Sequence, residues 1–275
     1  MCECIKEVVL FSLFYETEFC LLLPSLFVNW KSAMKVVNAI WDERNFGIKC
    51  AEVELEHDDD KNSDFEKLKS LDRKYDYIAL KVPSSRTDLT WMVSELSYCF
   101  VEDMMFFEHD LHEIKRTPLQ QRLYDAVEVS KMENKDFELL FKEIDAGSFS
   151  FDRISNDPYF SKEASVKRFH NWLNDEKRRG AIFLKGQIKG EMTGFFTIRE
   201  IGDGVYTSAL GGTFMKWRKG GLGTNIQTPA EVKKRGGRKL VLGVSTNNMI
   251  QIRALIQNEF FPTKVNHVFV KHVKR

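Results

Sequence analysis

The hexapeptide Arg218-Lys219-Gly220-Gly221-Leu222-Gly223 constrains the chain more than any other stretch. It follows a strand-like run over residues 205–214 and opens into helix-like sequence. Glycines let successive backbone N–H groups turn toward one point with no Cβ in the way. A helix beginning there leaves its first N–H groups unpaired and carries a partial positive charge. A pyrophosphate fits such a cradle, and Lys216, Arg218 and Lys219 add positive charge around it. Taken alone, the hexapeptide reads equally well as a glycine-rich turn between a strand and a helix.

The flanking order of elements separates the two readings. Ser161 can cap a helix over residues 161–178, with Ala164, Val166, Phe169 and Trp172 inward. Residues 181–184, 192–199 and 205–214 read as successive strands, joined by glycine-bearing turns and therefore antiparallel neighbours. After the glycine loop comes a helix to about Lys234, with Pro229 inside it, where it would kink or end the helix, and Gly236-Gly237 closing it. A strand over 240–244, an Asn-bearing turn, a helix to about Glu259 and a strand over 265–273 complete the chain.

The first half also alternates β and α elements. A strand over 35–40 precedes Trp41-Asp42-Glu43-Arg44-Asn45-Phe46-Gly47, which is turn-like. A strand over 48–55 leads to the charged loop His57-Asp58-Asp59-Asp60, read as solvated rather than metal-binding. Asp64 is expected to cap a helix over 65–75, followed by a strand over 77–82, a helix over 87–96 and a strand over 99–107. His109 and His112 would share a face on a helix, but no third ligand is spaced to join them. Glu133-Asn134-Lys135 reads as a linker. The expected division is an extension over 1–33, an α/β domain without a glycine loop over 34–135, and a second domain over 136–275.

The net charge of +1 in 275 residues gives no basic field for nucleic acid. Cys2, Cys4, Cys20, Cys50 and Cys99 are odd in number and form no CxxC pair, which points to reduced thiols and a cytoplasmic location. The apolar runs at 8–15 and 19–30 are each too short to span a bilayer, which takes about 20 residues. That segment reads as a packing helix, or as sequence upstream of a natural start at Met34.

The order of three antiparallel strands, Arg-x-x-Gly-x-Gly loop, helix, strand, Asn-bearing turn, helix and strand resembles the GNAT superfamily of acyl-CoA N-acyltransferases. Trp41-Asp42, Asn45-Phe46-Gly47, Ser85-Arg86 and Asp157-Pro158-Tyr159-Phe160 add a looser likeness to dTDP-fucosamine acetyltransferase and related sugar-nucleotide N-acetyltransferases. The implied fold is a mixed, mostly antiparallel sheet flanked by helices, preceded by a smaller GNAT-like domain without a cofactor loop. The implied reaction is acetyl transfer from acetyl-CoA, without metal, to a small-molecule primary amine, with a nucleotide-linked amino sugar as one acceptor.

The resemblance also implies the site. Backbone at Thr213, Phe214 and Met215 would face the thioester and the pantetheine arm. The amides of Gly220, Gly221, Leu222, Gly223 and Thr224 would hold pyrophosphate, with Arg218, Lys219 or Lys216 beside it. Asn248 would meet the pantetheine arm, the loop backbone, or simply its own helix as an N-cap. The family places a tyrosine seven residues after this asparagine as general acid; here that position is Leu255, and Tyr206 is the substitute candidate. Glu191, Glu200 and His170 are nominal bases, none assigned. A binder with the fold but without turnover, and a GNAT acting on another small amine or a protein N-terminus, are the alternatives. Oligomeric state is open, a homodimer included.

Overall fold

The apolar periodicities resolve into one sheet with helices on both faces. The structure, a computed structural model, describes residues 34–149, 151–220 and 223–273. The expected 1–33 extension and residues Gly221 and Leu222 lie outside them. The first half runs β1 (Lys35–Asn38), α1 (Ile40–Phe46), β2 (Cys50–Glu54), α2 (Lys61–Leu71), β3 (Tyr77–Pro83), α3 (Thr87–Glu95) and β4 (Cys99–Asp110). Next come α4 (Pro118–Asp125), β5 (Glu128–Lys131), α5 (Asn134–Asp145), α6 (Arg153–Asn156) and α7 (Lys162–Arg178). The remainder is β6 (Ile182–Ile188), β7 (Glu191–Gly202), β8 (Val205–Thr207), β9 (Gly211–Thr213), α8 (Gln227–Lys233), β10 (Lys239–Ser245), α9 (Met249–Gln257) and β11 (Phe261–His272). Short 3-10 turns, Met215–Gly220 and Thr224–Ile226, separate β9 from α8.

Four expectations are corrected. The turn-like stretch after Ile40 is a helix, α1, ended by Gly47 in the left-handed region at φ 72°. The cap of α2 is Asp60, whose carboxylate accepts from the N–H groups of Asn62 and Ser63; Asp64 lies buried in the first turn, 2.7 Å from Lys67 Nζ. His109 sits on a strand, not a helix, and packs edge-on against Phe260. Pro229 neither kinks nor ends its helix. It falls in the first turn of α8, where a missing N–H costs nothing.

The sheet order is β1-β2-β3-β11-β4-β10-β8-β7-β6-β5, with β9 pairing β7. Two parallel pairs recur within it. In the first half β2 runs parallel to β3, and in the second half β8 runs parallel to β10. In a β-α-β unit followed by a helix, the next strand returns most directly beside the strand just left. Here the returning strands are exchanged. β4, which follows β3, pairs with β10, whereas β11, which follows β10, pairs with β3. The two exchanged strands then pair with each other, antiparallel, from Cys99 to Glu108. The sheet therefore crosses the boundary expected at 135/136 without a break.

Helices α2 and α3 cover one face through Leu68, Leu71, Leu89, Met92 and Val93, packed on Ile78, Leu80 and Val82. α8 and α9 continue that layer, with Val232, Ile252 and Leu255 on Leu240, Val244 and Phe107. α5 and α7 cover the other face, with Leu140, Ile144 and Leu173 against Phe183 and Phe195. α6 brings Ile154 onto Tyr77, Ala79 and Val270 on that same face.

Candidate functional site

Strand pairing makes the two halves unequal. β2 and β3 stay paired over the whole of β2, and Leu55 N–H extends the ladder to Lys81 O at 2.9 Å. β8 and β10 pair over only three residues, Val205–Thr207 against Lys239–Val241. Beyond Thr207 the chain bends, and β9 follows β7 alone, register Gly194↔Thr213 to Phe196↔Gly211. Among the described residues, Leu242–Ser245 of β10 thus has a strand partner only on the β4 side. Alternate residues along that edge turn N–H and C=O groups into the opening. An extended chain bearing amides can pair with an edge of this kind.

Close packing holds the bend. A Cβ on Gly194 would stand 2.3 Å from Gly212 O, and one on Gly212 would stand 2.3 Å from Phe149. The N–H of Leu210 donates to Thr197 Oγ1 at 3.1 Å, while Thr197 N–H donates to Leu210 O at 2.8 Å. β9 is thereby fixed to β7 just past the point where the chain leaves β10.

The loops that follow the two parallel pairs differ in charge. After β2 the chain reads Glu56-His57-Asp58-Asp59-Asp60, and Arg86 closes it by donating to the carbonyls of His57 and Asp59. Such a loop repels phosphate. After β9 come Lys216, Arg218 and Lys219 with the glycines.

The expected site residues are placed as follows. Thr213 ends β9 at the opening, and its carbonyl accepts from Arg218 Nε at 3.4 Å. Phe214 is buried, and its N–H is spent on Thr193 O at 2.9 Å. Met215 N–H reaches Glu143 Oε2 at 3.4 Å. Arg218 also donates to Ser148 O, so its guanidinium is engaged by the chain's own carbonyls. Lys216 pairs with Glu191, which takes up that nominal base. Gly220 closes one 3-10 turn and Gly223, in extended backbone, begins the next with Thr224. Gly221, Leu222 and the side chain of Lys219 lie outside the described residues. Across the opening, Asn225 and Gln251 exchange two amide hydrogen bonds at 2.9 and 3.3 Å, tying the turn after the glycines to α9.

Asn248 is the N-cap of α9, accepting from Gln251 N–H at 3.2 Å. Leu255 is fully buried in the core beneath β10. Tyr206 lies in the closed, three-residue part of the β8–β10 pair. It is buried beside Val232 and Leu240, and its hydroxyl is 3.4 Å from Glu200 Oε2. Burial, and then the Glu200 carboxylate, hold its phenol above the usual range. His170 faces Asp145 at 2.9 Å from α7 and stacks on Phe141. Among the described residues, no group of three or more His, Cys, Asp and Glu is placed to hold a metal. No described helix is long and apolar enough to cross a membrane.

The opening has polar neighbours that the sequence reading missed. Ser245, the last residue of β10, donates its hydroxyl to Glu102 Oε2 on β4 at 2.6 Å. Asn266 of β11 lies opposite Met104, which in turn lies opposite Ser245. Paired residues share a face, and so do residues two apart. Glu102, Asn266 and Ser245 are therefore together on the α6 face. The available signal was an acid and an amide inside apolar strand runs. Their proximity depends on the exchanged strands, which no spacing records.

No family model matches the chain, and no curated protein matches it in sequence. Solved structures match it in fold. A GCN5-related N-acetyltransferase from Sphaerobacter thermophilus, 13% identical, superposes with TM-score 0.62 over 88% of this chain and 76% of its own. A tandem GNAT protein from the clavulanic acid biosynthesis pathway, 11% identical, gives TM-score 0.53 over 82% of this chain and 76% of its own. A GCN5-related glucosamine N-acetyltransferase region of a fungal multi-domain GH3 β-N-acetylglucosaminidase gives TM-score 0.56 at 11% identity, over 86% of this chain and 31% of that one. The chain has the GNAT fold, a mixed sheet flanked by helices, over nearly all its described length.

Proposed function

We propose that this chain is an acyl-CoA-dependent N-acyltransferase that moves acetyl from acetyl-CoA to a primary amine. The carrying observation is the parting of β8 from β10 after three paired residues, in the second half only and directly before the glycine loop. The pantetheine arm lies along the free edge of Leu242–Ser245. The pyrophosphate lies against the amides of Gly220 to Thr224, with Lys219 beside it. Arg218 reaches phosphate only by releasing Ser148. Since the N–H groups of Phe214 and Met215 are engaged elsewhere, the donors for the thioester oxygen come from the open edge itself. The acceptor class is a hydroxylated amine, most simply an amino sugar, as in the name of the fungal neighbour. A nucleotide-linked amino sugar is the narrower form that the sequence likeness suggests.

A second reading is an acyl-CoA binder without turnover. Leu255, a core residue where the family has its tyrosine, favours it. Thermal shift and thiol release separate the readings. At a concentration of acetyl-CoA about 100 times Kd, binding adds about 2.7 kcal/mol of stability. Stabilisation with thiol release on adding glucosamine or a nucleotide-linked amino sugar supports the enzyme. Stabilisation without release for any amine leaves the binder, and no stabilisation at millimolar acetyl-CoA removes both.

A further inference from the structure

Asn266 is 0% exposed, and neither its amide oxygen nor its amide nitrogen has a hydrogen-bond partner among the described residues. Leaving such a buried group unpaired costs its hydration with nothing gained in return. An apolar residue would fill the same place in β11 without that cost. Two strand positions away on the same face is Glu102, 3% exposed, a carboxylate inside the sheet. Its hydrogen-bond donors are Ser245 Oγ at 2.6 Å and Asn156 Nδ2 at 3.2 Å. Asn156, at the end of the four-residue α6, is exposed, so this donor lies between Glu102 and solvent.

The largest influences on Glu102 come from three places. Arg153 and Asp152 act on it from the α6 segment, Ser245 from β10 and Asn156 from above. On β11 the residue directly opposite is the uncharged Val268. Burial holds its carboxyl above the ordinary range, against the lowering effect of the Ser245 hydroxyl.

We propose that Glu102, Asn266 and Ser245 form the acceptor pocket, in which Glu102 takes the proton of the acceptor ammonium and Asn266 holds a neighbouring hydroxyl. This rests on the acyltransferase reading. The amide offers a donor and an acceptor side by side, which a hydroxyl, being both, can satisfy. In the reaction the ammonium loses one proton to Glu102, which passes it to solvent. The freed nitrogen lone pair adds to the thioester carbonyl carbon. The C–S bond then breaks, and the second nitrogen proton leaves with the sulfur as thiol. Ser245 at the rim of the opening places this carboxylate beside the end of the acyl-binding edge. The pocket is built from both halves, because Glu102 and Asn266 lie on the two exchanged strands.

The test follows thiol release with glucosamine as acceptor and acetyl-CoA as donor, against pH, in the full chain. In the wild type, kcat/KM rises with pH through an acid limb, since a base must be deprotonated to act. Glu102→Gln is expected to lower kcat/KM about 100-fold, within the range for general-base catalysis, and to move that limb up to the acceptor ammonium's own titration, since only the free amine then reacts. Asn266→Leu is expected to raise the melting temperature, by removing two unpaired polar atoms. It also raises the acceptor KM at least tenfold with acetyl-CoA binding unchanged. A Glu102→Gln enzyme that keeps rate and pH profile, or a stabilised Asn266→Leu enzyme with unchanged KM, overturns the pocket while leaving the acyltransferase. A wild type that neither binds acetyl-CoA nor releases thiol overturns both.

Discussion

Leu255 marks how a single position can be both expected and displaced. It lies on the inward face of α9, fully buried among Phe107, Val232, Leu240 and Ile252. A tyrosine there would have to push its ring and hydroxyl into a packed core. Leu255→Tyr is therefore expected to lower stability by about 1–3 kcal/mol without raising turnover. Urea denaturation and thiol release check the two halves of that statement, and a faster enzyme would sink it. The sequence placed Leu255 on the last helix, because a fixed spacing from Asn248 is a local property of that helix. It gave both roles for Asn248, and the geometry realises the cap. Glu102 and Asn266 were illegible for the opposite reason. Each is a polar residue in an apolar run, and only the pairing of β4 with β11 puts them on one face.

Elements were legible wherever a local signal was strong. Ser161 accepts from Ala164 N–H and starts α7 as expected. The turns at Gly190 and Gly204, with φ of 79° and 72°, join β6 to β7 and β7 to β8 as read. The failures have local causes too. Asp60 and Asp64 both stand before or within the helical run, and the geometry caps α2 with Asp60 instead of the expected Asp64. The run over 205–214 read as one strand, yet it divides at residues 208–210 into β8 and β9. That division creates the opening, and it depends on close contact between β7 and β9. Gly194→Ala brings a methyl to within 2.3 Å of Gly212 O, so β9 must move away from β7. The expected result is a loss of about 1–3 kcal/mol in stability together with the loss of stabilisation by acetyl-CoA. An unchanged acetyl-CoA shift in Gly194→Ala would detach the β7–β9 contact from the site.

At the scale of the molecule, the duplicated β-α-β arrangement could be read from the alternating pattern, but the exchange of β4 and β11 could not. Strand order is a long-range property, and both orders satisfy the same apolar periodicity. The exchange has a mechanical consequence. Each half's parallel pair depends on a strand supplied by the other, so neither half retains a complete sheet when its neighbour unfolds. A second tie lies outside the sheet. Asp42 on α1 is buried and pairs with Arg153 on α6 and with Arg168 on α7 at 3.0 Å. Arg168 also reaches Asp152 at 2.6 Å. Removing one member of such a buried group leaves charges without their partner, which typically costs about 3–5 kcal/mol. Asp42→Ala is thus expected to lower stability by about that amount, even though the residue lies far in sequence from both arginines. It should do so without splitting the transition, because the exchanged strands still bind the halves together. Far-ultraviolet circular dichroism and tryptophan fluorescence, followed through the same thermal ramp, should give coincident curves in wild type and in Asp42→Ala. Two separated transitions in the wild type would mean that the exchange does not couple the halves. Separation in Asp42→Ala alone would assign the coupling to the buried charges instead.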